Sequence, residues 1–408
     1  MDDLIMKFSK LQIWKKIVFL ATVIFTGLLF FKIVGSYSSS QHFTWLAQSF
    51  IDGHLHFNLA EVPDYKGDFI FYLGDYFWAG GPFPAIAMIP FILLGRLMNS
   101  SIGQSFMNLM LLPGIILLIV NLAKKIGYKL FDSWCLAVVF VLGSAFLRLI
   151  SEPQSYYYAQ VLTVFLVFAS LYEFFHKKRY LLIGILMACA LATRVTAGFG
   201  VLFFILEIIT NRGLVRKKVT ELCEILFPIS VTVFLLGIYN YFRFGGFFEQ
   251  GYSMQILYSD SLAKARDLGL FGFVHLPGNL FYAFLQGPVP VFRDGLHVLQ
   301  FPFITADAWG MGIFFTSAYL LKLFFLPYSK QIQMNLLITS IFIAVPLFLY
   351  YGIGWVQIGY RYSFDFMPFI FLIFMIGYRD LHRKLSKRMV LLFLCSIAFN
   401  YYLVAYFH

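Results

Sequence analysis

The chain has 408 residues, of which 60% are hydrophobic and only 12% are charged. Soluble domains carry about 25% charged residues, so the composition excludes a water-soluble fold and predicts a single transmembrane domain over residues 1–408. The net charge of +11 would suggest nucleic-acid binding in a soluble protein. In a membrane protein it indicates Lys and Arg gathered in cytoplasmic loops, so we expect membrane lipid and no nucleic acid as a partner.

Apolar runs long enough to cross a bilayer recur along the whole chain. A spanning helix needs about 20 apolar residues. The runs therefore predict an all-α fold, a polytopic transmembrane helical bundle of about eleven spans with further helices on the outer-face loops. The predicted spans are 17–35, 105–123, 134–150, 156–175, 180–193, 196–211, 221–240, 307–325, 334–352, 364–378 and 389–406.

The basic residues predict the orientation of the bundle. Alternating the spans places 21 of the 31 Lys and Arg residues on one side, which the positive-inside rule makes cytoplasmic. The N-terminus is then cytoplasmic and His408 is outside. The short apolar stretch 84–97 would reverse every later loop if it crossed the membrane, so we predict a helix lying at the outer interface.

Two long outer loops result, 36–104 and 241–306. The first loop concentrates acidic residues together with two histidines. These residues are Asp52, His54, His56, Glu61, Asp64, Asp68 and Asp75. Each acid taken alone is better explained by a solvated loop, but the group suits a general base or a metal site. The two histidines are a weak signal for a divalent metal, and the sequence leaves the cofactor open.

Charged residues also occur where the predicted spans meet the outer side. Arg194 lies between two apolar runs, and charges at such depth usually face a cavity or a partner. Arg148 and Glu152 fall at a helix end, where they either bind substrate or form an interfacial ion pair beside Tyr156, Tyr157 and Tyr158. Arg243 lies in a glycine-broken aromatic segment that alternatively forms an interfacial re-entrant loop.

The last outer loop, 353–363, carries a polar group beside the next predicted span. The group consists of Gln357, Tyr360, Arg361, Tyr362 and Asp365. Arginine suits bidentate recognition of phosphate, and a tyrosine adds a hydroxyl. The alternative is an interfacial anchor, since an arginine reaching to the interface between two tyrosines is ordinary.

Five motifs in order resemble the GT-C superfamily of polytopic glycosyltransferases, which includes protein O-mannosyltransferase and aminoarabinose-transferase relatives. The motifs are Asp68 to Phe77 with Pro82-Phe83-Pro84, Glu152 before a span, the Ala-Thr-Arg194-Val-Thr hairpin, Asn240 to Gly245 with Gly251-Tyr252, and Gly359-Tyr360-Arg361-Tyr362 with Pro368. The chain departs from the superfamily just after the first span. Many relatives carry an Asp-Glu pair there, whereas this chain has Ser39-Ser40-Gln41-His42.

The resemblance implies transfer of a sugar from a polyprenyl-phosphate donor to a hydroxyl of a glycan, lipid or protein acceptor, at the outer face of a bacterial inner membrane. We predict Asp68 as the catalytic base and Asp52 as the second choice. The predicted substrate-binding residues are Glu152, Arg194, Arg243, Gln357, Tyr360, Arg361 and Tyr362. A lipid or sugar transporter or flippase, and a non-catalytic protein that retains the fold, are the alternatives.

Overall fold

The computed structural model describes residues 12–36, 38, 40–57, 67–257 and 259–407. Glu61 and Asp64 of the first acidic loop, Ser39 of the substituted pair and the terminal His408 lie outside the described residues.

The described chain is mostly helical. The α-helices in chain order are α1 Ile13–Gly35, α2 His42–Ile51, α3 Phe83–Leu97, α4 Gln104–Ile126, α5 Leu130–Leu142, α6 Phe146–Ser151, α7 Ser155–His176, α8 Tyr180–Thr193, α9 Val195–Gly198, α10 Val201–Thr210, α11 Val215–Phe244, α12 Asp260–Asp267, α13 Leu276–Leu280, α14 Ile313–Thr316, α15 Gln331–Leu349, α16 Met367–His382 and α17 Lys387–Tyr406. Short 3₁₀ segments are Tyr252–Met254, Phe273–His275, Ala318–Phe325 and Arg361–Asp365, and Phe281–Leu285 is a π-helical turn.

Within the described residues, six helices are long and apolar enough to cross a membrane, namely α1, α4, α7, α11, α15 and α17. The predicted count of eleven spans is not confirmed. Predicted span 134–150 is divided into α5 and α6, 196–211 into α9 and α10, and 307–325 into α14 and a 3₁₀ segment. Glycines at two of these breaks explain the difference, because Gly143 and Gly200 interrupt apolar runs that length alone would join.

Helix α7 is the central helix of the bundle, and α11 is peripheral. In the most apolar window of α7, 78% of the residues are buried inside the protein, compared with 11% in α11. The exposed face of α11 is apolar, with Phe227 and Phe234 among its exposed side chains. Such a face suits contact with lipid tails.

The stretch 84–97 forms helix α3, which packs against α2. Fifteen residues rise only about 22 Å at about 1.5 Å per residue, less than the roughly 30 Å hydrocarbon core. The length agrees with the predicted interfacial helix, and its position relative to the bilayer stays a prediction.

Two antiparallel β-hairpins depart from the all-α expectation. Strand β1 (Phe69–Tyr72) pairs with β2 (Asp75–Trp78), and β3 (Val289–Phe292) pairs with β4 (Leu299–Thr305). The first hairpin turns at Leu73-Gly74, where both residues have positive φ (50° and 93°), as the two-residue turns favoured in hairpins require. The aromatic residues between Phe69 and Trp78 are therefore strand residues, and Asp68 immediately precedes β1.

Candidate active site

Asp68 lies where the two long outer loops meet helix α7. Its backbone N–H donates to the Ile256 carbonyl over 2.7 Å. The side-chain amide of Gln255 donates to the Asp68 carbonyl over 3.1 Å and to the Tyr156 hydroxyl over 2.7 Å, and lies 3.5 Å from Oδ1 of Asp68. Asp68 has φ of +70°, a region that non-glycine residues rarely adopt. The surrounding contacts therefore hold its backbone in an uncommon conformation.

Burial controls the charge of this carboxylate. Loss of water around the side chain raises the pKa of Asp68 from 3.8 to about 7, and the positive charge of Arg361 opposes that rise. A carboxyl group that is half ionised near neutral pH is suited to accept a proton and release it again. Asp68 therefore has the electrostatics expected of a general base.

Arg361 is the cation that faces Asp68. Its guanidinium lies 4.7 Å from the ring of Tyr362, 5.3 Å from that of Tyr156 and 5.9 Å from that of Tyr157. The residue is 6% exposed, and among the described residues its Nε and Nη1 have no hydrogen-bond partner. Among the described residues, no acidic side chain forms an ion pair with Arg361 within 4 Å. A buried guanidinium held by aromatic faces, with free donors, is prepared to bind an anion.

The predicted hairpin arginine, Arg194, is already paired. Its Nε lies 2.6 Å from Oδ1 of Asp365, and the Thr196 hydroxyl donates to the other carboxylate oxygen over 2.5 Å. Its guanidinium also lies 5.5 Å from the ring of Tyr362. Because Asp365 ends the 3₁₀ turn that begins at Arg361, the pair fixes that turn to the α8–α9 hairpin.

Arg243, at the end of α11, is buried and bonded to neutral groups. Nη1 donates to the Trp78 carbonyl over 2.7 Å and Nη2 to Oδ1 of Asn240 over 2.8 Å. The Tyr239 ring lies 3.9 Å from the guanidinium, and Nε has no partner among the described residues. Arg243 thus joins β2 to α11 and adds a second positive charge that no protein carboxylate neutralises within the described chain.

Glu152 pairs with Arg148 over 2.6 Å, one helical turn away. Arg148 and Arg361 both exert an electrostatic effect on Tyr157. The Glu152–Arg148 pair therefore borders the Arg361 site across that tyrosine. The ion pair agrees with one of the two alternatives that the sequence leaves open; its position at the membrane interface and a role in substrate binding stay predictions.

The other two residues predicted to bind substrate from the last loop contact protein groups. The side-chain amide of Gln357 donates to the Trp309 carbonyl over 2.7 Å. The Tyr360 hydroxyl donates to Asn279 Oδ1 over 3.0 Å. These bonds hold the loop that presents Arg361, while Tyr362 lies between the two arginines of the site.

Asp52, the second choice for the base, is partly exposed and lies 3.5 Å from Arg96. Both are surface side chains, and among the described residues Asp52 forms no hydrogen bond or ion pair with Asp68 or Arg361. Asp68, by contrast, is buried beside the positive charge of Arg361.

The residues that replace the Asp-Glu pair form a buried polar junction. His42 stacks on Trp78 with ring centroids 4.1 Å apart, and its Nδ1 lies 3.0 Å from the Ser155 hydroxyl. The Gln104 amide donates to the Ser40 carbonyl over 2.9 Å. Burial lowers the pKa of His42 to about 3, so this histidine is neutral at physiological pH. Its ring lies 4.8 Å from that of Phe69, next in sequence to Asp68.

The two loop histidines stand beside each other, with ring centroids 5.0 Å apart, and His56 Nδ1 lies 3.7 Å from Asp75. Among the described residues, no group of three or more His, Cys, Asp or Glu side chains is placed to hold a metal ion.

Gln255 is the site residue that sequence reasoning missed. It bonds to both Asp68 and Tyr156, and it lies three residues after the Gly251-Tyr252 motif. Its position close to that motif was the sequence signal that could have identified it. The sequence predicts Tyr156 only as an aromatic neighbour of the Arg148–Glu152 pair, whereas its ring lies 5.3 Å from the Arg361 guanidinium.

No family model and no curated protein matches this sequence. Solved structures of the oligosaccharyltransferase of Archaeoglobus fulgidus are similar to the chain. The apo form gives a TM-score of 0.47 at 16% identity, covering 96% of this chain and 55% of that chain. The complex with an inhibitory peptide and a dolichol-phosphate gives 0.46 at 15%, covering 97% and 56%.

The form tethered to an acceptor peptide gives a TM-score of 0.46 at 14% identity, covering 95% of this chain and 54% of that chain. The chain thus spans about half the length of these structures. The similarity is too low to assign a family or an activity, so the function has to be inferred from the site itself.

Proposed function

We propose that this protein is a membrane glycosyltransferase that moves a sugar from a polyprenyl-phosphate donor to an acceptor hydroxyl at the outer membrane face. The observation that carries the proposal is the arrangement of Arg361 and Asp68. A buried guanidinium with unused donors lies near a buried carboxyl group whose pKa is about 7. A phosphate leaving group and a hydroxyl nucleophile require those two functions.

The phosphate of the donor supplies the anion that Arg361 lacks. Isolated charges are costly to bury, and an arginine fork matches two phosphate oxygens. Arg243 contributes a second positive charge at the border of the first hairpin. Positive charge fixed in place before the reaction stabilises the negative charge that develops on the leaving group.

Asp68 accepts the proton of the acceptor hydroxyl. The hydroxyl oxygen forms a bond to the anomeric carbon, and the bond from that carbon to the phosphate oxygen breaks. The electron pair of the broken bond leaves with the polyprenyl phosphate, next to Arg361, while the proton is on Asp68. A positioned general base contributes about 10²–10⁴-fold to such a step.

The lipid chain of the donor needs an apolar approach between helices. A cavity of about 120 Å³ lies between the α8–α9 hairpin and α11, lined by Leu191, Val195, Val233 and Leu236 among others. Asn240 also lines it, and the same amide accepts a bond from Arg243. The cavity supports entry of the chain from the lipid side towards the second arginine.

A non-catalytic relative is the second candidate, because the neutral His42 junction stands where many relatives carry acids. Supplying purified protein with labelled polyprenyl-phosphate sugars separates the two functions. The enzyme releases polyprenyl phosphate and forms a glycosylated product, and Asp68→Asn abolishes both. A non-catalytic protein binds the donor without consuming it, and that result would replace the transferase proposal.

A further inference from the structure

A second cavity lies at the opposite end of α16 from Arg361. Its volume is about 530 Å³, and it is bounded by the 3₁₀ segment Ala318–Phe325, the end of α16 and the start of α17. The 16 residues of α16 rise about 24 Å, so this cavity is remote from the candidate active site. Lys322, His382, Lys387 and Arg388 line it.

The positive charge around this cavity is not neutralised by the described protein. None of the four basic side chains forms an ion pair within 4 Å with a described acid. The neighbouring carboxylate of Asp380 is occupied by Lys330, 2.7 Å away. Helix α17 has no acidic residue in its first turn, although its positive dipole end would favour one. Lys387 and Arg388 stand in that turn instead.

Neutral groups complete the wall of the cavity. The Ser386 hydroxyl accepts a bond from the Met389 N–H over 3.1 Å and lies 3.1 Å from the Tyr378 hydroxyl. Leu392, one turn further along α17, also lines the cavity. The cavity therefore has a cationic rim and an apolar side directed along a helix that is long enough to cross the membrane.

We propose that this cavity binds the phosphate headgroup of an anionic phospholipid. Basic pockets between helices at the cytoplasmic surface bind such headgroups, and the loop at 379–388 is on the predicted cytoplasmic side. The acyl chains lie along α17 beyond Leu392, and the phosphate lies among Lys322, Lys387 and Arg388. Free inorganic phosphate is also an anion, but it has no acyl chains to pack against the apolar side of the cavity.

Native mass spectrometry of the full chain, titrated with phosphatidylglycerol or phosphatidylcholine, tests the site. We expect tighter binding of phosphatidylglycerol, and a loss of about tenfold or more in the double variant Lys387→Gln with Arg388→Gln. The matched control is Lys124→Gln with Lys125→Gln, an exposed basic pair on the same predicted side that does not line the cavity. The control should bind like the natural sequence.

A conservative double variant is the control for misfolding. Lys387→Arg with Arg388→Lys keeps the charge, so it should retain binding while the glutamine variant loses it. Equal binding of phosphatidylglycerol by the natural sequence and the glutamine variant would overturn the site. Displacement of the lipid by inorganic phosphate at the same concentration as the lipid would overturn the lipid assignment in favour of a small-anion site.

Discussion

Replacing Asp68 with asparagine should make the protein more stable at alkaline pH. The rise of the Asp68 pKa from 3.8 to about 7 corresponds to roughly 4 kcal/mol of destabilisation when the buried carboxylate is ionised. Because the pKa is raised in the folded state, stability is lost as pH increases from about 4 through about 7 and is constant above that. Asparagine is nearly isosteric and does not titrate.

The same variant should lose most of its turnover. Removal of a general base lowers the rate by about 10²–10⁴-fold, while donor binding through Arg361 stays intact. In the natural protein, turnover should fall as pH decreases below about 7. The fall should follow the binding of one proton to Asp68, since only the ionised carboxylate can accept the proton of the acceptor. A gain in stability together with a loss of turnover distinguishes a carboxylate that acts as a catalytic base from one with a structural role.

The assay is thermal unfolding of the two proteins between pH 4 and pH 9, alongside transfer of a labelled sugar. The control is Asp267→Asn, an exposed acid of the second outer loop, which should change neither quantity. Lower stability of Asp68→Asn at pH 8 would refute the burial reasoning. Near-normal turnover of Asp68→Asn, with turnover abolished in Asp52→Asn, would move the base to Asp52.

Substitutions at three further positions test the rest of the site. Arg361→Lys should weaken donor binding by about tenfold or more, because a charge-assisted hydrogen bond contributes about 1.5–3 kcal/mol. Arg361→Gln should also raise the pH at which turnover begins, since the arginine lowers the pKa of the candidate base. An unchanged donor Kd in both variants would mean that Arg361 is only an interfacial anchor. Asp365→Asn should lower stability by about 3–5 kcal/mol in thermal unfolding, because it leaves buried Arg194 unpaired, and an unchanged Tm would contradict this. Gly251→Ala should reduce both stability and turnover, because a Cβ there would clash with the side chain of Ile70 in β1. The control is Gly245→Ala, which also has positive φ but has open space around it. Equal effects of the two substitutions would contradict the clash.

The local pattern of the sequence predicted the membrane class and the regular helices. Helices α4 and α17 begin and end close to the predicted spans, because a long apolar segment in lipid satisfies its backbone hydrogen bonds by forming a helix. The sequence pattern could not predict the number of spans, because a glycine inside an apolar run, as at Gly143, divides a helix without changing the hydrophobicity of the run. The first hairpin was not predicted, because two four-residue strands are too short for alternation to distinguish them from a loop.

The residue types of the site were predictable, but their partners were not. Arg194 and Asp365 are 171 residues apart, and a local motif carries no information about such pairing. The sequence therefore grouped Arg194 with Arg361, although one is neutralised by a carboxylate and the other is not. Gln255, which connects the two outer loops at Asp68, lay in a segment with no recognised chemistry.

Transfer from a defined donor tests the central proposal most directly. Purified protein in lipid nanodiscs would receive polyprenyl-phosphate sugars labelled in the sugar, with a pool of hydroxyl acceptors, and the released lipid and labelled product would be quantified. We expect release of polyprenyl phosphate with equal formation of a glycosylated product by the natural sequence, and neither by Asp68→Asn. Binding of the donor through Arg361 without any release, across all sugars tested, would contradict the transferase assignment.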